Sequence, residues 1–393
     1  MVSRDDDAAR GFEKRYGCLP QFVSVAPGRV NLIGEHTDYN GGFVLPAAIN
    51  RSLRIAARVR RDDSLNLYSE TFNESVSFSI SARIRPPQIK GWYSYFAAVV
   101  DRFMDRGASV PGMDVSICGD VPLGAGLSSS AAFEVCAAVL LDRVCDTKLS
   151  RKDLALLSQK AEHSDYVGVK CGIMDQFISA LGEKDHALLV DCFTLEPRLV
   201  PFDSASAFIV IVNSMKKRGL MDSEYNMRRS ECEKGFQLIK NLSRADFPSI
   251  RHIPSEIFDK YKKKLPEKSR MRLAHNLSEN QRVQDFVQAL KYADFAKAGI
   301  LLYESHESLK SDYEVSCEEL DRIVEIASLC EGVYGCRMTG AGFGGCAVAL
   351  VLPAAAEEFS KRMISEYDRA FHLIPEIYIT PPAPGAFIRE IKE

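Results

Sequence analysis

The segment from residue 122 to residue 131, PLGAGLSSSA, most constrains how this chain can fold. It follows residues 113–118, MDVSIC, a run typical of a strand. After the segment, apolar residues recur at helical spacing and form one stripe, made of Phe133, Cys136, Ala137, Leu140, Leu141 and Val144. The segment therefore joins a strand to the amino terminus of a helix.

Such a loop offers a binding site for an anion. The amino terminus of a helix has free N–H groups and a positive partial charge. Gly124 and Gly126 let the backbone approach an anion closely, and Ser128, Ser129 and Ser130 add hydroxyl donors or a magnesium ligand. We expect a phosphate cradle here. The alternative is a tight turn in which a serine caps the helix.

Other phosphate-binding loops do not fit this sequence. The dipeptide Gly-Lys does not occur, which excludes a Walker A loop with its lysine. Residues 340–345, GAGFGG, satisfy GxGxxG, but they precede a strand-like run instead of opening a helix, so a dinucleotide site is not expected. The chain also lacks the HRD and DFG motifs of protein kinases. The 340–345 loop is better interpreted as a turn close to a ligand or a hairpin-like bend.

Composition narrows the function classes. With 393 residues and 46% hydrophobic residues, the chain is long enough for two domains. A net charge of -3 gives no general attraction to nucleic acid or anionic lipid. The amino terminus is acidic, no run of eighteen apolar residues occurs, and the eleven cysteines form no CxxC pair. We expect a soluble cytoplasmic protein that binds neither nucleic acid nor membranes.

The pattern along the chain changes near its middle. The first half alternates strands and helices, with a strand at residues 53–59 and a helix at 91–104. Residues 223–330 are mostly helical, and strands return at 345–352 and 376–380. Pro197 and Pro201 flank a predicted strand boundary, so the domain border is predicted near residue 200, with domains at 1–200 and 201–393.

Three motifs, in order along the chain, give the sequence a family resemblance. They are PGRVNLIGEHTDY at residues 27–39, the glycine and serine loop at 122–131, and TGAGFGG at 339–345. With smaller matches at 171–177, 223–229 and 304–315, the chain resembles galactokinases of the GHMP superfamily over its whole length. The GEHTDY portion is the most specific element, because it is the sugar-binding signature of that family.

The resemblance implies an α+β, two-domain GHMP kinase fold with the active site between the domains. The N-terminal sugar- and ATP-binding domain would be like the second domain of ribosomal protein S5, and the C-terminal domain would be ferredoxin-like. The last strands of the chain would return to the N-terminal domain. The implied reaction is ATP-dependent phosphorylation of the anomeric hydroxyl of α-D-galactose, with Mg²⁺ as cofactor and a monomer or weak homo-oligomer as the assembly.

The resemblance also assigns roles. Asp175 corresponds to the proton acceptor and Arg29 to the residue that stabilises the transferring phosphoryl group. The positions that correspond to sugar ligands are Glu35, His36, Thr37, Asp38 and Tyr225. Those that correspond to the ATP site are Ser69, Trp92, Gly124, Ala125, Gly126, Leu127, Ser128, Ser129 and Ser130, and those that correspond to magnesium ligands are Ser130 and Glu162. Without the resemblance, Asp175 is a loop or cap residue, Glu162 a solvated helix residue and Trp92 a core aromatic.

Two departures from the family pattern bear on the substrate. Arg218 stands where a histidine is expected, and Asn50 stands where an acidic residue is frequent. N-acetylgalactosamine, galacturonate and arabinose therefore remain alternative substrates, whereas the GEHTDY signature disfavours mevalonate or homoserine. A non-catalytic galactose sensor on the same fold is a further alternative. Such sensors have a shortened serine loop, and the intact residues 128–131 favour an enzyme.

Overall fold

The computed structural model describes residues 4–81, 90–216 and 221–391, which form three sheets and the helices around them. The strands are β1 (Phe22–Asn31), β2 (Phe43–Val44), β3 (Pro46–Val59), β4 (Ser64–Ser69), β5 (Glu74–Ser79), β6 (Met113–Gly119), β7 (His186–Asp191), β8 (Glu196–Pro201), β9 (Phe208–Asn213), β10 (Val333–Thr339), β11 (Cys346–Val351), β12 (Glu376–Thr380) and β13 (Phe387–Glu390). The helices are α1 (Arg4–Tyr16), α2 (Tyr93–Asp105), α3 (Ser129–Val144), α4 (Arg151–Glu162), α5 (Met174–Leu181), α6 (Met221–Ser243), α7 (Ser255–Tyr261), α8 (Glu267–Lys291), α9 (Phe295–Ser311), α10 (Glu318–Ser328) and α11 (Ala356–Phe371).

The first sheet has the strand order β13-β1-β3-β6-β4-β5. Successive side chains of a strand point to opposite faces, and both faces of this sheet are used. Met113, Val115 and Ile117 of β6 join the core that α2 to α5 cover. Val23 and Val25 of β1 pack instead with α1. The predicted strand at residues 113–118 is therefore confirmed, and its apolar residues face the core.

The second sheet has the order β10-β11-β9-β12. Its central strands β9 and β11 are apolar at almost every position because both faces are buried. Ile209 and Ile211 of β9 contribute to one core cluster, whereas Val210 and Val212 contribute to another. The apolar run predicted as a strand at 345–352 is β11, and β10 and β11 form an antiparallel hairpin joined by the glycine turn at residues 340–345.

The two sheets share a core, and this fixes the position of the cleft between them. One cluster contains Val30 and Leu32 of β1 and its exit, Ile209 of β9 and Val283 of α8. The small sheet β2-β7-β8 adds Ala187 and Val200 to the same cluster. Residues that leave the end of β1 and the hairpin turn of β10–β11 therefore meet in one place.

One detail of the sequence interpretation is wrong. Pro197 and Pro201 do not flank a strand boundary, because both lie within β8. Among the described residues this strand pairs with β7 alone, and an edge strand tolerates residues without a backbone N–H. In the part of the chain that the structure describes, no helix has both the length and the apolar character needed to cross a membrane.

Candidate active site

A partly buried ion pair between Arg29 and Asp175 lies at the centre of the cleft. Arg29 follows an irregularity in β1, and Asp175 is in the first turn of α5. The guanidinium donates Nε–H to Asp175 Oδ1 at 2.7 Å and Nη2–H to Oδ2 at 2.6 Å, and its Nη1 donates to the carbonyl of Gly126 at 2.5 Å. Burial opposes the charge of Arg29, but the Asp175 carboxylate holds its pKa above the ordinary value. The predicted contact between these two residues is therefore present.

The glycine and serine loop folds against this pair. Gly28 leaves room for it, since a Cβ at that position would lie 2.7 Å from the carbonyl oxygen of Leu127. Helix α3 starts at Ser129, and the preceding Ser128 has a left-handed φ of 60°. The Ser128 hydroxyl donates a hydrogen bond to Oδ2 of Asp175. The loop thus presents a helix amino terminus beside a fixed guanidinium, an arrangement suited to phosphate.

Two acidic side chains, Glu134 and Glu162, form a corner of the cleft beside the start of α3. Glu162 Oε2 accepts hydrogen bonds from Gln176 Nε2 at 2.6 Å and from Cys171 Sγ at 2.8 Å, and the Ser130 side chain lies near enough to this carboxylate to favour its charged form. Burial raises the pKa of Glu162. Glu134 is fully buried, its Oε1 has no hydrogen-bond partner among the described residues, and burial raises its pKa well above the usual range.

Two hard oxygen donors in this corner fit a magnesium ion. The hydroxyl of Ser130 and the carboxylate of Glu162 lie together, and Mg²⁺ prefers such oxygens while it keeps most of its waters. A cluster of three or more His, Cys, Asp or Glu ligands is absent from the described ranges. The site therefore fits an ion held by two side chains, water and a nucleotide, and it does not fit an all-protein cage.

A polar pocket of about 150 Å³ opens beside Asp175. It is lined by Arg29, Glu35, His36, Asp38, Tyr39, Cys171, Gly172, Met174, Asp175, Tyr225, Gly340 and Ala341. Both parts of the chain contribute, because Tyr225 belongs to α6 and Ala341 to the β10–β11 turn. Of the predicted sugar ligands, four line this pocket, namely Glu35, His36, Asp38 and Tyr225.

Thr37 does not line the pocket. Its side chain is fully buried, and its hydroxyl lies 2.8 Å from the carbonyl oxygen of Gly34 and 2.7 Å from that of Phe43, so its single hydrogen is shared between the two acceptors. These bonds close the turn that carries Glu35, His36 and Asp38. Thr37 therefore lies behind the pocket wall and shapes the loop from there.

Burial strongly shifts the pKa values of Asp38 and His36 in this pocket. Burial raises the pKa of Asp38 to about 6 and lowers the pKa of His36 to about 3. Glu35 Oε1 accepts from the buried Arg337 Nη2 at 2.9 Å, from Thr339 Oγ1 at 3.0 Å and from the Gly340 N–H at 2.7 Å. Glu35 therefore also ties the loop after β1 to the end of β10.

A second, apolar pocket of about 290 Å³ lies on the other side of the serine loop. It is lined by Leu53, Ser69, Thr71, Phe72, Trp92, Tyr95, Ile117, Cys118, Gly119, Val121, Leu123, Ser129, Ser130 and Phe133. Ser69 and Trp92, both predicted for the ATP site, are among these residues. The Trp92 ring is nearly parallel to that of Phe72, with 6.4 Å between centroids, and its Nε1 donates to Glu74 at 2.8 Å.

Some of the residues singled out from the sequence lie away from the walls of the two pockets. Ala125 and Leu127 are buried in the shared core, so this part of the loop offers only backbone to a ligand. Asn50 is exposed on β3 and does not line the polar pocket, and Arg218 lies outside the described residues. The motifs did not predict that Tyr39, Phe72, Cys171 and Gly172 line the two pockets. The first belongs to the GEHTDY signature and the last two to the 171–177 match, whereas Phe72 has no sequence signal.

Comparison with known proteins fits this geometry. Residues 94–183 match the GHMP kinase N-terminal domain and residues 286–369 the GHMP kinase C-terminal domain. The fold, the serine loop and the cleft thus define a GHMP kinase. Residues 10–59 match the galactokinase galactose-binding signature. The chain belongs to the galactokinase family, and it is a sugar kinase.

Similar proteins cover almost the full length of the chain. A galactokinase of Chloroflexus aggregans is 42% identical over 356 residues, which are 91% of this chain and 90% of that protein. One of Clostridium tetani is 40% identical over 384 residues, 97% of each. The structure of Lactococcus lactis galactokinase complexed with galactose has a TM-score of 0.91 and 35% identity, and covers 97% of this chain and 99% of that chain. Methanococcus jannaschii mevalonate kinase, at a TM-score of 0.66 and 19% identity over 94% of this chain and 98% of its own, shares the fold.

Proposed function

We propose that this enzyme transfers the γ-phosphoryl group of ATP to the anomeric hydroxyl of α-D-galactose and releases galactose 1-phosphate and ADP. The observation that carries the proposal is the bidentate Arg29–Asp175 pair between a polar pocket and a helix amino terminus. The sugar is proposed from the resemblance to the Lactococcus lactis enzyme, whose structure contains galactose.

In the proposed mechanism Asp175 accepts the proton of the anomeric hydroxyl. The sugar oxygen forms a bond to the γ-phosphorus, and the bond from that phosphorus to the bridging oxygen breaks so that ADP leaves. Charge develops on the equatorial oxygens, and stabilising it is the main task of a protein in phosphoryl transfer. Arg29 is placed for that task because its guanidinium contacts both Asp175 and the Gly126 carbonyl of the loop. The same bidentate contact fixes the orientation of the Asp175 carboxylate at the wall of the polar pocket.

Ser130 and Glu162 would hold magnesium beside the start of α3. When bound, the ion neutralises the charge of the nucleotide phosphates. The two protein oxygens orient the site, and Cys171 and Gln176 hold the Glu162 carboxylate by the hydrogen bonds described above. Loss of either oxygen, in Ser130→Ala or Glu162→Gln, should raise the magnesium concentration needed for half-maximal activity. Ser158→Ala, which removes a buried hydroxyl on α4, is the matched control.

The apolar pocket is proposed to hold the adenine of ATP, and the polar pocket the sugar. The intact serine loop and the Arg29–Asp175 pair favour catalysis over a sensor role. We place the reaction in the cytoplasm, where ATP is available and where thiols such as the eleven free cysteines stay reduced.

A panel of sugars tests the proposal directly. Galactose, N-acetylgalactosamine, galacturonate and arabinose would each be incubated with ATP and magnesium, and sugar 1-phosphate and ADP would be measured. We expect galactose to give the highest kcat/KM. A preference for another sugar of the panel would change the proposed substrate but would leave the proposed phosphoryl transfer intact. ATP binding without phosphorylation of any sugar would contradict the kinase mechanism and favour the sensor.

A further inference from the structure

A line of buried and partly buried hydrogen bonds runs from helix α6 to the wall of the polar pocket. Cys232 Sγ lies 2.9 Å from the hydroxyl of Tyr313, and this hydroxyl lies 3.0 Å from that of Tyr39. The Tyr39 hydroxyl lies 2.8 Å from Nδ1 of His36, and Nε2 of His36 lies 3.2 Å from the carbonyl oxygen of Ala341. The line thus connects helix α6, the chain after α9, the signature loop and the β10–β11 turn.

The contact between His36 Nε2 and the Ala341 carbonyl determines which atom is the donor in each of these hydrogen bonds. A backbone carbonyl can only accept, so His36 must carry its proton on Nε2 to bond with Ala341. A neutral imidazole then has an unprotonated Nδ1, and burial, which lowers the pKa of His36 to about 3, keeps the ring neutral. Tyr39 must therefore donate to Nδ1. Because its single hydrogen is used there, Tyr39 accepts from Tyr313, and Tyr313 in turn accepts from Cys232.

Further hydrogen bonds connect Cys232 back to the signature loop that carries His36 and so make the line a closed ring. Asn276 Nδ2 donates to Cys232 Sγ at 3.6 Å, and its Oδ1 accepts from Asn40 Nδ2 at 3.0 Å. Asn40 Nδ2 also donates to the backbone carbonyl of His36 at 2.8 Å. Both the ring and the backbone of His36 are therefore held by the same closed set of hydrogen bonds.

We infer that Tyr39, Tyr313 and Cys232 are positioning residues that hold His36 as the Nε2–H tautomer and thereby set the wall of the polar pocket. The tautomer joins the signature loop to Ala341 across the pocket. Through this bond it also holds Ala341, which lines the polar pocket together with His36. The link to sugar affinity rests on the proposed function, whereas the tautomer itself does not.

The tautomer can be measured without sugar or ATP. In ¹⁵N NMR of the ligand-free wild-type enzyme, the His36 ring should show a protonated Nε2 and an unprotonated Nδ1 from pH 6 to pH 8. The resonance would be assigned by its loss in His36→Gln. A protonated Nδ1 in the wild type would overturn the inference. Because this readout needs no reaction, it stands even if the sugar proposal fails.

A matched pair of tyrosine variants tests the functional link. Tyr313→Phe breaks the line, whereas Tyr367→Phe removes an equally buried hydroxyl that donates to the Ser214 carbonyl at 2.7 Å, away from the line. We expect Tyr313→Phe to raise the galactose KM about tenfold, as for a lost buried hydrogen bond, with kcat and the ATP KM nearly unchanged. Tyr367→Phe should leave the galactose KM unchanged.

Two further variants sharpen this comparison. Tyr39→Phe removes the donor to Nδ1, so the His36 ring should become a mixture of tautomers and the galactose KM should rise at least as much as in Tyr313→Phe. Cys232→Ser keeps a donor and should behave more like the wild type than Cys232→Ala. Equal effects of Tyr313→Phe and Tyr367→Phe on the galactose KM, or an unchanged His36 spectrum in Tyr39→Phe, would overturn the positioning role.

Discussion

The two pockets beside the serine loop have opposite chemical character, one apolar and the other charged. The larger one has aliphatic and aromatic walls, and none of the lining residues within the described ranges is charged. The smaller one contains Arg29, Glu35, Asp38 and Asp175 within about 150 Å³. A planar base needs contact area and stacking, whereas a sugar is identified by the directions of its hydroxyl groups.

The difference has an energetic side. Apolar walls have no hydrogen-bonding groups to satisfy, and they gain free energy when a ligand removes them from water. Burying a carboxylate such as Asp38 costs free energy until a substrate supplies hydrogen bonds, and its raised pKa reports this cost. The sugar side should therefore be selective and destabilising when empty, and the nucleotide side tolerant of changes in its apolar walls. Four predictions test this contrast.

The largest effect is expected at the contact between the pockets. Asp175→Asn removes the proton acceptor and should lower kcat by about two to four decades with little change in galactose or ATP affinity. Arg29→Lys keeps the charge but loses the planar fork, so kcat should fall by about three decades. Steady-state kinetics would measure the loss of kcat, and calorimetry would measure the affinities for galactose and ATP. Asp165→Asn, which changes an exposed carboxylate, is the control.

The double variant tests whether these residues act together. Groups that work as a unit are not additive, so Asp175→Asn with Arg29→Lys should cost little more than the worse single change. Losses that multiply in full would show independent action, in conflict with the bidentate contact.

The second largest effect is expected at Asp38, where one substitution should weaken galactose binding but stabilise the ligand-free protein. Asp38→Asn should raise the galactose KM about 100-fold, since a charged hydrogen-bond acceptor is lost. With a folded pKa of about 6 against an ordinary 3.8, protonation of Asp38 favours the folded state below pH 4, and this contribution is lost as the pH rises through 6. The ligand-free variant should therefore be more stable than the wild type at pH 8, by at most about 3 kcal/mol, and equally stable near pH 4.

Denaturant unfolding at the two pH values measures this difference, with galactose absent. A variant that is less stable than the wild type at pH 8 would contradict the idea that the empty sugar pocket is destabilising. In the wild type, galactose affinity should also decline as the pH falls below about 6.

The third effect is expected on the nucleotide side. Trp92→Ala removes one of the two parallel rings and should raise the ATP KM about tenfold, as for the loss of one aromatic stacking partner. Trp92→Phe should recover most of the affinity, because an apolar pocket tolerates a different ring. If Trp92→Phe were as impaired as Trp92→Ala, the nucleotide side would be as exacting as the sugar side.

The smallest effect is expected at Asn50. Asn50→Asp restores the residue that is frequent in the family, but the position is exposed on β3 and outside the polar pocket. Sugar preference across the panel should stay the same. A shift toward another sugar would mean that specificity is set beyond the residues that line the pocket.

The motifs predicted the chemistry of the site better than its geometry. An arginine between Gly28 and the apolar run that follows it needs an anion, and Asp175 meets this need. The orientation of Thr37, Ala125 and Leu127 could not be predicted, because in turns the side-chain direction depends on each backbone dihedral and no period applies. The apolar β9 and β11 were easy to recognise as strands. Which faces of them are covered depends on helices distant in sequence.

The pairing of β13 with β1 has a consequence for biosynthesis. β1 has β3 as one neighbour early in synthesis, but its other edge stays open until residues 387–390 have left the ribosome. At about 5–20 residues per second, the nascent chain exposes this edge for a time on the order of tens of seconds. An open strand edge is a template for pairing with another chain, so we expect the nascent enzyme to be most prone to intermolecular pairing before β13 is added.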